Sequence, residues 1–88
     1  MPTDIRAAIA ARLAGVDLRD SRAVWAVLGA DWAHGSGGGL FHIPSAAWVV
    51  PTYGGIRGSA DGVAVQTWSS LLDALCAIAA VVPGLAEG

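Results

Sequence analysis

The sequence predicts an α+β fold in which two N-terminal helices pack on a small antiparallel sheet. In the first third of the chain, apolar residues recur at the three- and four-residue steps of amphipathic helices. In the middle, glycine and proline divide the chain into short apolar runs of the kind that form strands. The length of 88 residues suits one domain, so residues 1–88 are expected to share a single thin core.

Two helices are expected in the N-terminal part. Thr3 suits the N-cap of the first helix, and Gly15 suits its end. Asp20 or Ser21 suits the N-cap of the second helix. The apolar stripe of the first helix consists of Ile5, Ala8, Ile9, Leu13 and Val16. The stripe of the second consists of Val24, Val27, Leu28 and Trp32.

After these helices, the residue types change to turn and strand formers. Residues 34–39, HGSGGG, predict a flexible loop, a hinge or a disordered tip, that closes the helical part. Residues 46–50, AAWVV, predict a short strand framed by Pro44 and Pro51, because proline cannot donate to a sheet ladder. An antiparallel sheet is therefore expected to begin here.

The C-terminal third contains a hairpin signal and an ambiguous segment. The glycine-rich stretch 52–62 ends in the turn signal Asp61-Gly62 and leads into a strand that begins at Val63. Residues 68–82 fit a helix by three- and four-residue spacing and a strand by alternation, so this segment is left as helix or strand. The tail 83–88 is expected to be a loose end.

The composition indicates a chain that binds other proteins. Hydrophobic residues make up 55% of the sequence and charged residues 14%, which is more apolar material than so small a core hides easily. The net charge is -2 and the five basic residues are dispersed, so no nucleic-acid partner is expected. The remaining apolar surface is expected to meet other protein subunits, as a homo-oligomer or with neighbouring proteins.

The sequence also bears on location. The longest uncharged apolar run, residues 74–82, has nine residues, and a bilayer span needs about 20. The N-terminal residues do not have the layout of a signal peptide. The only cysteine, Cys76, lies in an apolar stretch and is expected to be a buried, inert thiol. A virion or host-cytoplasmic protein without membrane contact is expected.

No motif points to catalysis, a cofactor or a metal. His34 and His42 flank a glycine loop, with no second cysteine or paired carboxylate at ligand spacing. Asp31, His34 and Ser36 lie close together and allow an enzyme hypothesis, but the nucleophile motif GxSxG is absent. The glycine loop lacks the GK[ST] ending of a phosphate-binding loop. We therefore assign no catalytic, cofactor-binding or metal-binding residues.

Aromatic residues are the best candidates for function. Four tryptophans stand in this short chain, and tryptophan is enriched both in small cores and at interface centres. Trp32 and Trp48 suit the core, whereas Trp25 lies off the stripe of its helix and is the best single contact residue. The alternative is that all four tryptophans are interior. The protein-interface candidates are Trp25, Trp48, Trp68, Tyr53 and Phe41.

The order of features resembles the small tail-terminator or tail-completion proteins of long-tailed phages. The resemblance spans residues 3–82: a helix IRAAIAARLAGV, the framed strand PSAAWVVP, a glycine-rich turn and the segment VAVQTWSSLL. Its pattern is carried by Pro44, the run 46–51 and Gln66. The resemblance implies an α+β subunit without catalytic activity that assembles into a ring at the head-proximal end of the tail tube.

Three functional hypotheses follow, from different classes. The leading one is a non-enzymatic structural or assembly subunit of a phage or phage-like particle, of the tail-terminator or neck-connector type, held by protein–protein contacts. The alternative is a small mobile-element-encoded inhibitor or adaptor that binds a host protein through Trp25. The third is an enzyme that uses His34 and Ser36 and needs these two side chains within hydrogen-bond reach.

Overall fold

A computed structural model describes residues 4–82 and 84–85, and it confirms the α+β class. Two helices precede a five-stranded antiparallel sheet, and a third helix follows it. The helices are α1 (Ile5–Arg12), α2 (Ser21–Leu28) and α3 (Leu71–Ile78), followed by a 3-10 turn (Ala79–Val81). The strands are β1 (Trp32–His34), β2 (Leu40–His42), β3 (Ala47–Thr52), β4 (Gly55–Ala60) and β5 (Val63–Trp68).

The two N-terminal helices begin at aspartate caps. The side chain of Asp4 accepts a hydrogen bond from the backbone N–H of Ala7, and Asp20 accepts one from Ala23. The expected cap Asp20 is thus confirmed. Thr3 lies outside the described residues, and the cap of α1 is Asp4.

The second helix ends earlier than its apolar stripe predicts. Gly29 follows α2 with a φ of 98°, a left-handed value that breaks the helix and turns the chain into β1. Trp32 therefore lies in a strand and not on α2, which corrects the sequence interpretation. It is still buried, because its strand packs under the same helix.

The sheet is a simple meander in the order β1-β2-β3-β4-β5. Pro51 does not frame the third strand but lies inside it, opposite Ile56 of β4. The glycine-rich stretch 52–62, expected as a hairpin-like return, contains a whole strand, β4. Glycine is needed there because a Cβ on Gly58 would lie 2.3 Å from the carbonyl oxygen of Trp48. The Asp61-Gly62 turn is confirmed between β4 and β5.

The segment 34–39 is a hairpin connection and not a hinge after the helices. His34 already belongs to β1, and the remaining residues turn the chain into β2. Two backbone hydrogen bonds close this turn, Gly35 N–H to Gly39 O at 2.8 Å and Gly38 N–H to Gly35 O at 3.1 Å. The glycine run therefore joins two adjacent strands of one sheet, which corrects the sequence interpretation.

The C-terminal segment is a helix. Ser70 caps α3 by accepting a hydrogen bond from Asp73 N–H, and the helix packs on α1 and on β3, β4 and β5. The expected loose end, residues 83–88, includes Leu85, which is buried in the core, whereas residues 83 and 86–88 lie outside the described residues. Burial of Leu85 means that the chain end contributes to the core and is not simply a loose end.

One core lies between the helices and one face of the sheet, which we call the inner face. Its residues come from all three helices, from β1, β2 and β3 and from the chain end. They are Ile9, Leu13, Val24, Leu28, Trp32, Leu40, Ala47, Val49, Leu71, Ala74, Leu75, Ile78, Val82 and Leu85.

Candidate protein interface

The other face of the sheet, which we call the outer face, carries a row of apolar side chains. Ala33, Phe41 and Trp48 stand opposite one another on β1, β2 and β3. Val50 shares the face of Trp48 because strand residues two apart point to the same side. None of these four side chains belongs to the hydrophobic core of the described residues. They form an apolar surface patch, which we call the outer patch.

The outer patch is accessible. Phe41 is 41% exposed, and Trp48 and Val50 are half-buried. A shallow depression lies over these three side chains and the glycines that flank them in the β1–β2 turn. The cross-strand row that starts at Val50 continues with polar side chains, Arg57 on β4 and Thr67 on β5. An apolar centre beside a polar margin is the arrangement found at protein–protein interfaces.

The structure brings together two of the five interface candidates. Phe41 and Trp48 are direct cross-strand neighbours in the outer patch. Trp68 points to the opposite side, because it pairs with Ile56 and packs partly buried against the core. Tyr53 lies at the tip of the β3–β4 turn and is fully exposed. Trp48 is therefore half-buried on the outer face and not a core residue.

The fifth candidate, Trp25, is anchored to its own chain. Its indole N–H donates a 2.7 Å hydrogen bond to the carbonyl oxygen of Trp32, and its ring stacks on His34 with centroids 5.6 Å apart. It is 37% exposed, so one edge of the ring reaches solvent. These contacts give Trp25 a role in holding α2 against β1.

Two histidines form hydrogen bonds with serines, though not with the serine that the sequence suggested. His34 Nε2 lies 2.7 Å from Ser21 Oγ, whereas Ser36 lies in the exposed turn. His42 Nδ1 lies 2.6 Å from Ser45 Oγ. In the described part of the chain, no carboxylate hydrogen-bonds to either imidazole, so the base–orienter contact of a hydrolase triad is missing. The Ser21–His34 contact links α2 to β1, and sequence spacing gives no signal for it.

A cleft of about 430 Å³ opens at the edge of the inner face. Its walls are mostly apolar, from Leu18, Leu40 and Ile56, and its rim carries the hydroxyls of Ser21 and Ser70. Among residues 4–82 and 84–85, no group of three or more His, Cys, Asp or Glu side chains is placed to hold a metal ion. The cleft thus offers shape and a few hydroxyls but no cluster of charged groups.

Within the described residues, one ion pair joins two helices. Arg6 on α1 forms an ion pair with Asp73 on α3. Arg6 and Ser69 both donate hydrogen bonds to the Asp73 carboxylate, and these bonds hold the pKa of Asp73 below its usual value. Burial raises the pKa of the Cys76 thiol, which makes this thiol a weak nucleophile at neutral pH. Neither effect creates a reactive group beside the outer patch.

None of the helices in the described residues has the length and apolar character needed to cross a membrane.

Comparison with family models, with curated proteins and with solved structures found no match.

Proposed function

We propose that this chain is a non-catalytic assembly subunit that binds other protein subunits through the outer patch. The observation that carries the proposal is the Phe41–Trp48 pair, two aromatic rings side by side on a sheet face that no core residue covers. Aromatic side chains provide much of the binding energy of interfaces when a partner buries them. The free energy gained is about 25 cal/mol for each Å² of apolar surface removed from water.

The arrangement of hydrogen bonds supports a binding role over a catalytic one. Every buried side-chain nitrogen and oxygen in the described residues has a hydrogen-bond partner, so polar side chains serve the fold. The two Ser–His contacts join α2 to β1 and stabilise the turn after β2. The outer patch, in contrast, is apolar, and exposed apolar patches commonly mark sites where another protein binds.

The resemblance to tail-terminator proteins gives this proposal a specific form. We place the chain among the structural subunits of phages or phage-like particles, at the tail end or the neck, where subunits bind both copies of themselves and neighbouring proteins. Stability and assembly are then linked, because a partner that binds only the folded subunit raises its free energy of unfolding.

The test measures self-association of the full chain by sedimentation equilibrium up to millimolar concentration. We expect the wild type to form oligomers and the double variant Phe41→Ser/Trp48→Thr to dissociate at least tenfold more readily. Phe41 and Trp48 lie outside the core, so circular dichroism and thermal unfolding should show that the variant keeps its fold. Loss of association with an intact fold would support the proposal.

The matched control is Tyr53→Ser, which removes an exposed aromatic ring away from the outer patch. It should associate like the wild type. A wild-type chain that remains monomeric at the highest concentration counts against an assembly subunit and favours the inhibitor or adaptor. An unchanged association constant in the double variant would exclude the outer patch as the contact surface.

A further inference from the structure

A single cross-strand row forms the middle of the outer face. It consists of Ala33, Phe41, Trp48 and Ser59, which stand directly opposite one another on β1 to β4. We call it the central row. Residues two positions before or after a member of the row, on the same strand, lie on the same face. The side chains on the two sides of the central row therefore decide which partner the outer face fits.

Opposite charges flank the central row on β4. Arg57 lies two residues before Ser59, and Asp61 lies two residues after it. Both are exposed, and neither forms an ion pair in the described part of the chain. The extra residue in the β4–β5 ladder belongs to β5, so the alternation along β4 is uninterrupted. Four residues of extended chain span about 13 Å, which keeps these two charges from pairing within one molecule.

Side-chain size is also unequal on the two sides of the central row. On β2, Gly39 lies two residues before Phe41, and Ile43 lies two residues after it. Ile43 is 56% exposed, whereas Gly35 and Gly39 border the shallow depression of the outer face. One side of the row thus carries a bulky apolar side chain, and the other side has room for one.

We propose that the outer patch binds the outer patch of a second copy of this chain, about a two-fold axis that runs along the central row. This inference rests on the proposed function, because it names the partner of the same surface. Rotation about the axis exchanges the two sides of the row. Arg57 of each copy then meets Asp61 of the other, and Ile43 of each copy enters the depression at Gly39 of the other. In a two-fold interface every such contact occurs twice.

The packing of the two sheets suits this arrangement. An axis across the strands leaves the strands of the two copies within about 30° of each other, the aligned class of sheet packing, with the sheets about 10 Å apart. Phe41 and Trp48 pack against their own counterparts at the centre and lose their contact with water. The two Arg57–Asp61 pairs lie at the margin, so the interface has an apolar centre and a polar rim.

Charge selects a second copy as the partner. On β4 the order is positive before the central row and negative after it, and a two-fold rotation of the same face supplies the reverse order. Asp31, two residues before Ala33, comes opposite Gly35, so no like charges meet. A partner surface of uniform charge would gain at Arg57 and lose at Asp61, or the reverse, since like charges brought together in an interface are unfavourable.

The first experiment reverses the two charges. Arg57→Asp brings two acidic groups together at each margin, and Asp61→Lys brings two basic groups together, so each variant alone should dimerise about tenfold more weakly. An equimolar mixture of the two variants restores both ion pairs in the heterodimer and should associate like the wild type. Sedimentation equilibrium provides the measurement, and circular dichroism checks the fold. Lysine suits position 61, because Ala46 is the non-glycine residue with a positive φ in the described chain.

The matched control mixes Arg22→Asp with Asp17→Lys, two exposed positions outside the sheet that change the net charge equally. These variants should associate like the wild type, alone and mixed. A mixture of Arg57→Asp and Asp61→Lys that does not recover, or a control that shows the same pattern, would overturn the two-fold arrangement. If Phe41→Ser/Trp48→Thr weakens association and the charge reversals do not, this inference fails while the proposed function stands. A wild-type monomer at millimolar concentration contradicts both.

The second experiment locates the axis by cross-linking in a Cys76→Ala background. Ser59→Cys places two thiols opposite each other on the axis, across the gap of about 10 Å between the sheets, and a bismaleimide of that length should join them. Thr52→Cys is the control on the same face, since it lies four residues from the central row and its counterpart is about 26 Å away along the strands. A monofunctional maleimide first confirms that both thiols react. Equal yields of covalent dimer from the two variants would refute the proposed axis.

Discussion

The guanidinium of Arg12, on α1, donates a 2.8 Å hydrogen bond to the carbonyl oxygen of Leu85 at the far end of the chain. The same nitrogen reaches Gly84 O at 3.0 Å. Its neighbour Nη2 donates to Val27 O and Leu28 O, the last carbonyls of α2, both at 3.3 Å. One side chain thus satisfies carbonyls of two separate segments, and a cation suits the negative end of a helix.

We expect Arg12→Met to lower the free energy of unfolding by about 2 kcal/mol, because part-buried carbonyls lose charged hydrogen bonds. The measurement is urea unfolding followed by tryptophan fluorescence. The control is Arg19→Met, since the side chain of Arg19 is 93% exposed and pairs only with Asp17 in the described residues. A loss no larger than that of the control would show that Arg12 does not hold the chain end.

The close approach of β3 to β4 makes a second prediction. A Cβ on Gly58 would lie 2.3 Å from the carbonyl oxygen of Trp48, a backbone atom that cannot move away alone. We expect Gly58→Ala to cost about 2 kcal/mol or more, as overpacking does in a closely packed site. Gly39→Ala is the control, because its Cβ meets nothing nearer than 3.7 Å. Chemical denaturation of both variants tests this prediction. Similar unfolding midpoints for Gly58→Ala and Gly39→Ala would show that the sheet accommodates a Cβ at position 58.

The Arg6–Asp73 ion pair makes stability depend on pH. The pKa of Asp73 is lowered in the folded chain, mainly by its hydrogen bond to Arg6, so the ionised carboxylate stabilises the fold at pH values above the ordinary aspartate pKa. This contribution is lost as the pH falls through the lowered pKa. Asp73→Asn should therefore be less stable than wild type at neutral pH and nearly equal to it in strong acid.

Urea midpoints measured from neutral to strongly acidic pH test this expectation. Asp61→Asn is the matched control, because Asp61 lies in the exposed β4–β5 turn and has no ion pair in the described residues. The difference between wild type and Asp73→Asn should shrink with falling pH, while the control follows the wild type. If the difference in urea midpoint between wild type and Asp73→Asn stays constant over the whole pH range, the charge of Asp73 does not contribute to stability.

Local chemistry explains why the helices were easier to predict than the sheet. The cap Asp20 and the stripe residues Val24 and Leu28 act within a few positions of one another, and the structure confirms them. β1 and β2 have three residues each, and they exist because their partners lie across the sheet. Trp32 continued the helical spacing by coincidence, and only the left-handed φ of Gly29 ended the helix before it.

The candidate interface was predicted in part. Residue type alone selected Phe41 and Trp48, but their position side by side depends on the β2–β3 register. That register could not be read from the sequence because β2 was not identified. The contact of Ser21 with His34 was missed for the same reason, since β1 brings the histidine back over the start of α2. Contacts between elements follow from topology, which no local pattern encodes.

Trp25 gives the last prediction, because the adaptor hypothesis depends on it. If Trp25 mainly holds α2 on β1, Trp25→Phe loses the hydrogen bond to Trp32 O but keeps an aromatic ring beside His34. We expect a loss of about 1 kcal/mol in the free energy of unfolding, the usual cost of one such bond. Trp25→Ala also removes the stacking contact and should be less stable still.

Thermal and urea unfolding of the two Trp25 variants provide the measurement, with Tyr53→Ala as a control that removes an exposed ring without internal contacts. The control should stay within about 0.5 kcal/mol of the wild type, as is usual for surface substitutions. The adaptor hypothesis instead expects Trp25→Ala to keep full stability and lose only partner binding. Graded destabilisation from Trp25→Phe to Trp25→Ala would therefore assign this residue to the fold and leave the outer patch as the contact surface.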